Sequence, residues 1–154
     1  MIDTPEFKET DPVKVATIAL QIPKEEMHEH FPPAVHEILE ATKAQDIDVV
    51  GPVVAHHFSV QRDIFDFEIC VPVARPVEAT GRVQPSTLPA TKVVRTFYHG
   101  PYDGLPDAWA QFQEWLDEQD LSLGPDAYER YVDGPHNESD PEDWRTELAR
   151  ALDA

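Results

Sequence analysis

The stretch KVVRTFYHGPYDGLPDAWAQFQEWLDEQDLSLGPDAYERYV, residues 92–132, decides the fold. Thr91 to Tyr98 is β-branched and aromatic enough for a strand. Leu105, Ala108, Trp109, Phe112, Trp115 and Leu116 then fall on one face of a helix. Gly124-Pro125 opens a strand around Tyr128 to Val132, and Trp144 to Leu152 closes the chain, giving the order β-α-β-β.

The first half has the same order. Lys14 to Ile22 predicts a buried strand ending at Pro23. After Pro32-Pro33, Phe31, Ala34, Val35, Ile38 and Leu39 make a helical stripe whose first turn suits the prolines. Gly51-Pro52 opens a strand Val53 to Val60, and Arg62-Asp63 turns into Phe65, Phe67, Ile69, Val71 and Val73, alternating with Asp66, Glu68 and Cys70. Lys14-Val15 matches Lys92-Val93, and Gly51-Pro52 matches Gly124-Pro125. The reading is therefore α+β: duplicated β-α-β-β units with pseudo-twofold symmetry, an antiparallel sheet, two main helices and a central cleft. Residues 1–12 read as a loose N-terminal arm and 13–152 as one domain, with repeats at about 13–75 and 91–152 joined by a linker at about 76–90.

The chain has 154 residues, with 30 Asp plus Glu against 12 Lys plus Arg and a formal net charge of −18. One compact domain is the expectation, and direct nucleic-acid binding is not expected of so acidic a surface. No apolar run has the length of a bilayer span, and the N-terminus lacks a secretory pattern, so a cytoplasmic protein without membrane association is expected. Five of the basic residues are Lys, and the acids are spread along the whole chain, a pattern that suits a halophilic source. The single cysteine, Cys70, excludes an intramolecular disulfide and a thiolate zinc site.

In the strand Tyr128-Glu129-Arg130-Tyr131, alternation puts Glu129 and Tyr131 on one face, with Tyr128 and Arg130 on the other. A carboxylate beside an aromatic ring suits an organic cation. Against this stands a solvated Glu129 paired with Arg130 or another base. Glu68 and Glu147, counterparts by element order, read as strand residues on the less apolar face. Metal binding is not expected: His28, His30 and His36 lack helical ligand spacing, and His56 and His57 point to opposite faces. Neither a hydrolytic triad nor a phosphate or dinucleotide loop is present, and no cofactor is implied.

Leu88-Pro89-Ala90, Tyr98-His99-Gly100-Pro101-Tyr102, the helix ending Trp115-Leu116, Gly124, Tyr128-Glu129-Arg130-Tyr131 and Arg145-Thr146-Glu147-Leu148 occur in that order. With Phe67 to Val73 in the first half, this arrangement resembles the GyrI-like effector-binding domain family over roughly residues 13–152. The resemblance implies a cleft for lipophilic, often cationic, small molecules with Glu129 as the central acidic contact, and it places Tyr102 near the pocket. Tyr131, Tyr98 and Tyr102 would be aromatic walls. Counting from the Gly-Pro pairs sets His56 opposite Glu129 and Phe58 opposite Tyr131, while Trp109 reads as core. A stand-alone effector-binding domain is the leading expectation, since residues before Val13 are too few for a DNA-binding domain. A hydrolase of electrophilic small molecules using Glu129 and Tyr131 is the second. An acidic inhibitor of DNA gyrase is the third. A regulator or a topoisomerase would be the protein partner.

Overall fold

Sequence periodicity generates two β-α-β-β runs, and long-range pairing gives each a fourth strand. The computed structural model describes residues 2–59, 63–135 and 137–153. Its strands are β1 (Glu6–Glu9), β2 (Val13–Pro23), β3 (Val54–His57), β4 (Ile64–Pro72), β5 (Gln84–Leu88), β6 (Lys92–His99), β7 (Leu123–Asp133) and β8 (Arg145–Leu152). Its helices are α1 (Met27–Ala44) and α2 (Leu105–Glu118). The fold is α+β, and its strand pairs are antiparallel. Two compact units result, one formed by Asp11–Ala90 and the other by Met1–Thr10 with Thr91–Ala154.

In the Asp11–Ala90 unit the strands lie in the order β3-β4-β2-β5. Ala16 and Ile18 face Val71 and Ile69 across the β2–β4 pair, and all four are buried. α1 contributes buried Ala34, Ile38 and Ala41. In the other unit the order is β1-β6-β8-β7. Here Ala108, Phe112 and Leu116 of α2 pack with Val94, Tyr98 and Leu148. That spacing of four residues along α2 places one helical stripe against the sheet.

Several boundaries differ from the sequence reading. The expected loose arm supplies β1, an edge strand on β6. Two ion pairs accompany the pairing: Glu6 meets Arg95 at 2.8 Å and Glu9 meets Lys92 at 3.8 Å. The linker supplies β5, which pairs with β2. β1 and β5 thus precede one repeat in sequence and pair with the other. α1 starts at Met27, after a 3-10 turn at Lys24–Glu26, so Pro32 and Pro33 lie inside it instead of opening it. They cannot donate to the carbonyls of His28 and Glu29, but both residues are exposed, so water can serve. β7 begins at Leu123, so Gly124-Pro125 lies within the strand, and its pairing with β8 is irregular between Leu123 and Ala127. Trp144 precedes β8. β3 ends at His57; the expected strand end at Val60 and the turn residue Arg62 lie outside the described residues. Among the described residues no helix is long and apolar enough to cross a membrane.

Candidate functional site

Period-two alternation sends Glu129 and Tyr131 off the same side of β7. Their partners on β8 are Leu148 and Thr146. Leu148 packs with Phe112 of α2, so this is the helix-covered side. The Tyr131 hydroxyl donates to Glu129 Oε1 at 2.6 Å, and the Trp109 indole N–H on α2 donates to Oε2 at 2.5 Å. Each carboxylate oxygen therefore has a donor, and neither donor is a cation. Arg130, on the other side of β7, is bound to Glu147 at 3.2 Å, and Glu147 also meets Arg95 at 2.8 Å.

Two further rings complete the surroundings. Tyr102, in a 3-10 turn that leads into α2, lies edge-on to Tyr131 with centroids 5.7 Å apart, and 4.9 Å from Trp144. The Trp144 N–H donates to the Glu138 carbonyl at 2.9 Å, which fixes the indole. Glu129, Tyr131, Tyr102, Trp109 and Trp144 all keep part of their surface accessible, unlike Phe112 and Leu148 beneath them. The cluster therefore lies at the edge of the core, with the Glu129 carboxyl and the Tyr131 phenol desolvated inside it.

Desolvation dominates the electrostatics. It pushes the Glu129 carboxyl above the ordinary range, while the hydrogen bonds from Tyr131 and Trp109 pull it back part of the way. Burial, and then the nearby Glu129 charge, raise the Tyr131 phenol well above its usual value. Tyr102 is raised for the same two reasons. Both phenols are therefore neutral donors at physiological pH.

The sequence-predicted residues divide. Glu129, Tyr131 and Tyr102 are brought together. Tyr98 is buried beneath the start of α2, where its hydroxyl donates to the Pro101 carbonyl at 2.7 Å. His56 and Phe58 belong to the Asp11–Ala90 unit. There His56 Nδ1 meets Glu68 Oε2 at 2.9 Å, its ring lies 4.9 Å from Phe58, and Phe58 is 37 % exposed. On the sheet face that carries Ala55, Phe67 and Ile69, the residue from β3 is His57, stacked on Phe67 at 5.1 Å. The irregular start of β7 upsets counting from the Gly-Pro pairs. Trp109 and Trp144 are the site residues that the sequence reading missed. Helical spacing marks Trp109 as facing inward, but no pattern shows where its N–H points.

At the start of α1, ligand atoms of Glu26, Glu29 and His30 lie within 4.8 Å of one another. His30 Nε2 and Glu26 Oε1 are already partners at 3.1 Å. The Cys70 thiol is buried and pushed far up by desolvation, which leaves it unreactive.

The family described as GyrI-like small molecule binding domain matches residues 3–150. Among solved structures, the EcmrR C-terminal domain is similar at TM-score 0.83 and 22 % identity, covering 97 % of each chain. The EcmrR chain in its DNA complex matches equally well, and this chain spans 58 % of it. A hydrolase from Listeria innocua is similar at TM-score 0.66 and 14 % identity, covering 97 % of this chain and 91 % of that one. SAV2435 bound to tetraphenylphosphonium is similar at TM-score 0.64 and 9 % identity, covering 99 % and 95 %. No curated protein sequence matches.

Proposed function

The chain belongs to the GyrI-like small-molecule-binding domain family, and from that premise we propose that its ligand is a lipophilic organic cation seated against Glu129. One observation carries this reading: a desolvated carboxylate, held by two neutral donors, lies in a cluster of aromatic residues that are each partly exposed. An organic cation would offset the cost of that buried charge, and each ring face it covers contributes about 0.5–2 kcal/mol. The structural neighbour that holds tetraphenylphosphonium supports the same class of ligand.

The test is thermal stability with tetraphenylphosphonium and, as a neutral ligand of similar shape, triphenylphosphine oxide. A ligand at about 100 times its Kd stabilises by about 2.7 kcal/mol. Glu129→Gln is expected to abolish the cation's effect and spare that of the neutral ligand. Equal loss of both would make the carboxylate structural. Because the cation favours the ionised acid, its affinity for the wild type is expected to rise with pH through the raised titration of Glu129, while that of the neutral ligand stays flat.

A second reading has its own support. A carboxyl with a raised pKa, 2.6 Å from a phenol, is a base beside a proton donor, and a structural neighbour is a hydrolase. Hydrolysis of an electrophile by the wild type that is lost in Glu129→Gln would favour this activity; saturable binding without product would remove it.

A further inference from the structure

Besides Leu148, the α2-facing side of β8 carries Arg150, which is 9 % exposed. Its Nη1 donates to Gln113 Oε1 at 3.0 Å and its Nη2 to the Gly124 carbonyl at 3.2 Å. Its Nε is buried without a hydrogen-bond partner, and among the described residues no carboxylate comes within ion-pair distance. Its direct hydrogen-bond acceptors are neutral, and the nearest acidic support comes from Asp117, which acts on it from beyond ion-pair distance and accepts from Gln113 Nε2 at 2.9 Å; a buried guanidinium so weakly compensated is costly, so packing stability alone is a poor reason for it.

Its two partners are informative. Gln113 lies four residues after Trp109 on α2, one turn along the same face. Gly124 lies at the start of β7, in the stretch of irregular pairing, five residues before Glu129. The Gln113–Arg150–Gly124 bridge thus joins the two elements that the Trp109–Glu129 bond joins, one helical turn away. We propose that Arg150 is a positioning residue of the Glu129 site: it holds α2 against β7 so that the Trp109 indole N–H reaches the carboxylate. This role rests on the reading of Glu129 as the acid that faces the ligand, although its test needs no ligand.

The consequence is electrostatic. An indole N–H stabilises the carboxylate over the acid, so letting Trp109 drift raises the titration midpoint of Glu129. The groups acting on Glu129 are Tyr131 from its own strand, Tyr102 from the turn before α2, and Trp109 from α2; Leu148 faces it from β8. Both phenols stay protonated in the range where the acid titrates.

The experiment is an NMR pH titration of the Glu129 carboxyl carbon in the full chain without ligand. Loss of one hydrogen bond is expected to move the midpoint up by about 0.5–1 pH unit in Trp109→Phe. Arg150→Met is expected to move it in the same direction, and Arg150→Lys, which keeps a donor, by less. Trp109→Phe with Arg150→Met is expected to move it no further than Trp109→Phe alone. A wild-type midpoint in Arg150→Met, or an additive shift in the double variant, overturns the proposal. Should Arg150→Met not fold, Gln113→Leu removes only the α2 side of the bridge, and the same two outcomes decide. Tetraphenylphosphonium binding to Glu129→Gln as tightly as to wild type would remove the cation reading and leave this result standing.

Discussion

Two titrating side chains bend the stability curve in opposite directions. Burial raises Glu129, so the folded state holds a proton that the unfolded chain releases; this contribution is full below the ordinary carboxylate value and is lost as pH rises through the raised one. Burial, then the charges of His56 and Lys24, lower His57 to about 4, so the stability it gives at neutral pH is lost as pH falls from its ordinary value toward 4. Urea midpoints measured against pH are therefore expected to lose their downward slope above the carboxylate range in Glu129→Gln. In His57→Phe, which keeps the stacking on Phe67, they should lose part of their acid limb. An unchanged pH dependence in either variant would contradict its burial. The pairing of Glu129 with Tyr131 was legible in the sequence because a strand repeats every two residues. Trp109 was not, because its donor direction depends on how α2 is turned against β7.

At the scale of elements, the start of α2 is set by one close approach. A Cβ at Gly104 would overlap the Tyr98 hydroxyl, which is held by the Pro101 carbonyl at 2.7 Å. Gly104→Ala is expected to cost about 1–3 kcal/mol, and 1 kcal/mol lowers Tm by about 2–4 °C in a chain of this size. Adding Tyr98→Phe removes the nearer obstructing atom and leaves the ring carbon at 2.9 Å, so the double variant is expected to recover part of the loss and melt above Gly104→Ala alone; a lower Tm would mean that the Tyr98 bond outweighs the overlap. The same scale shows where sequence reading stops. Alternation and helical stripes revealed the two helices and the central strands β2, β4, β6 and β8. β1 and β5 escaped because four or five residues, charged around a lone Phe7 in one and polar with Pro85 in the other, look like a loop until a distant strand pairs with them. The prolines of α1 misplaced its start because exposed carbonyls at its first turns tolerate a missing donor.

For the whole molecule the deciding quantity is the surplus of acid. Every Lys and Arg could be paired and 18 carboxylates would still lack a cation. Salt acts on both populations. The half-buried Arg95–Glu147–Arg130 group, at 2.8 and 3.2 Å, is poorly screened and should keep most of its attraction. Repulsion among exposed carboxylates acts through solvent, and it shrinks as the screening length falls from about 10 Å at 0.1 M to about 3 Å at 1 M. The larger and more screenable term is repulsive, so the urea midpoint is expected to rise between 0.1 M and 1 M KCl. A midpoint that stays level would mean that the carboxylates are spaced widely enough for water to separate them, and would remove the argument for a halophilic source. A falling midpoint would mean that the few ion pairs outweigh the surplus. Cation binding at Glu129 should weaken much less with salt than binding at an exposed carboxylate would, because its charge is desolvated. Comparing the salt dependence of tetraphenylphosphonium affinity with that of the urea midpoint therefore separates attraction by the site from attraction by the acidic surface as a whole; a parallel loss of affinity and gain of stability would assign the ligand to the surface.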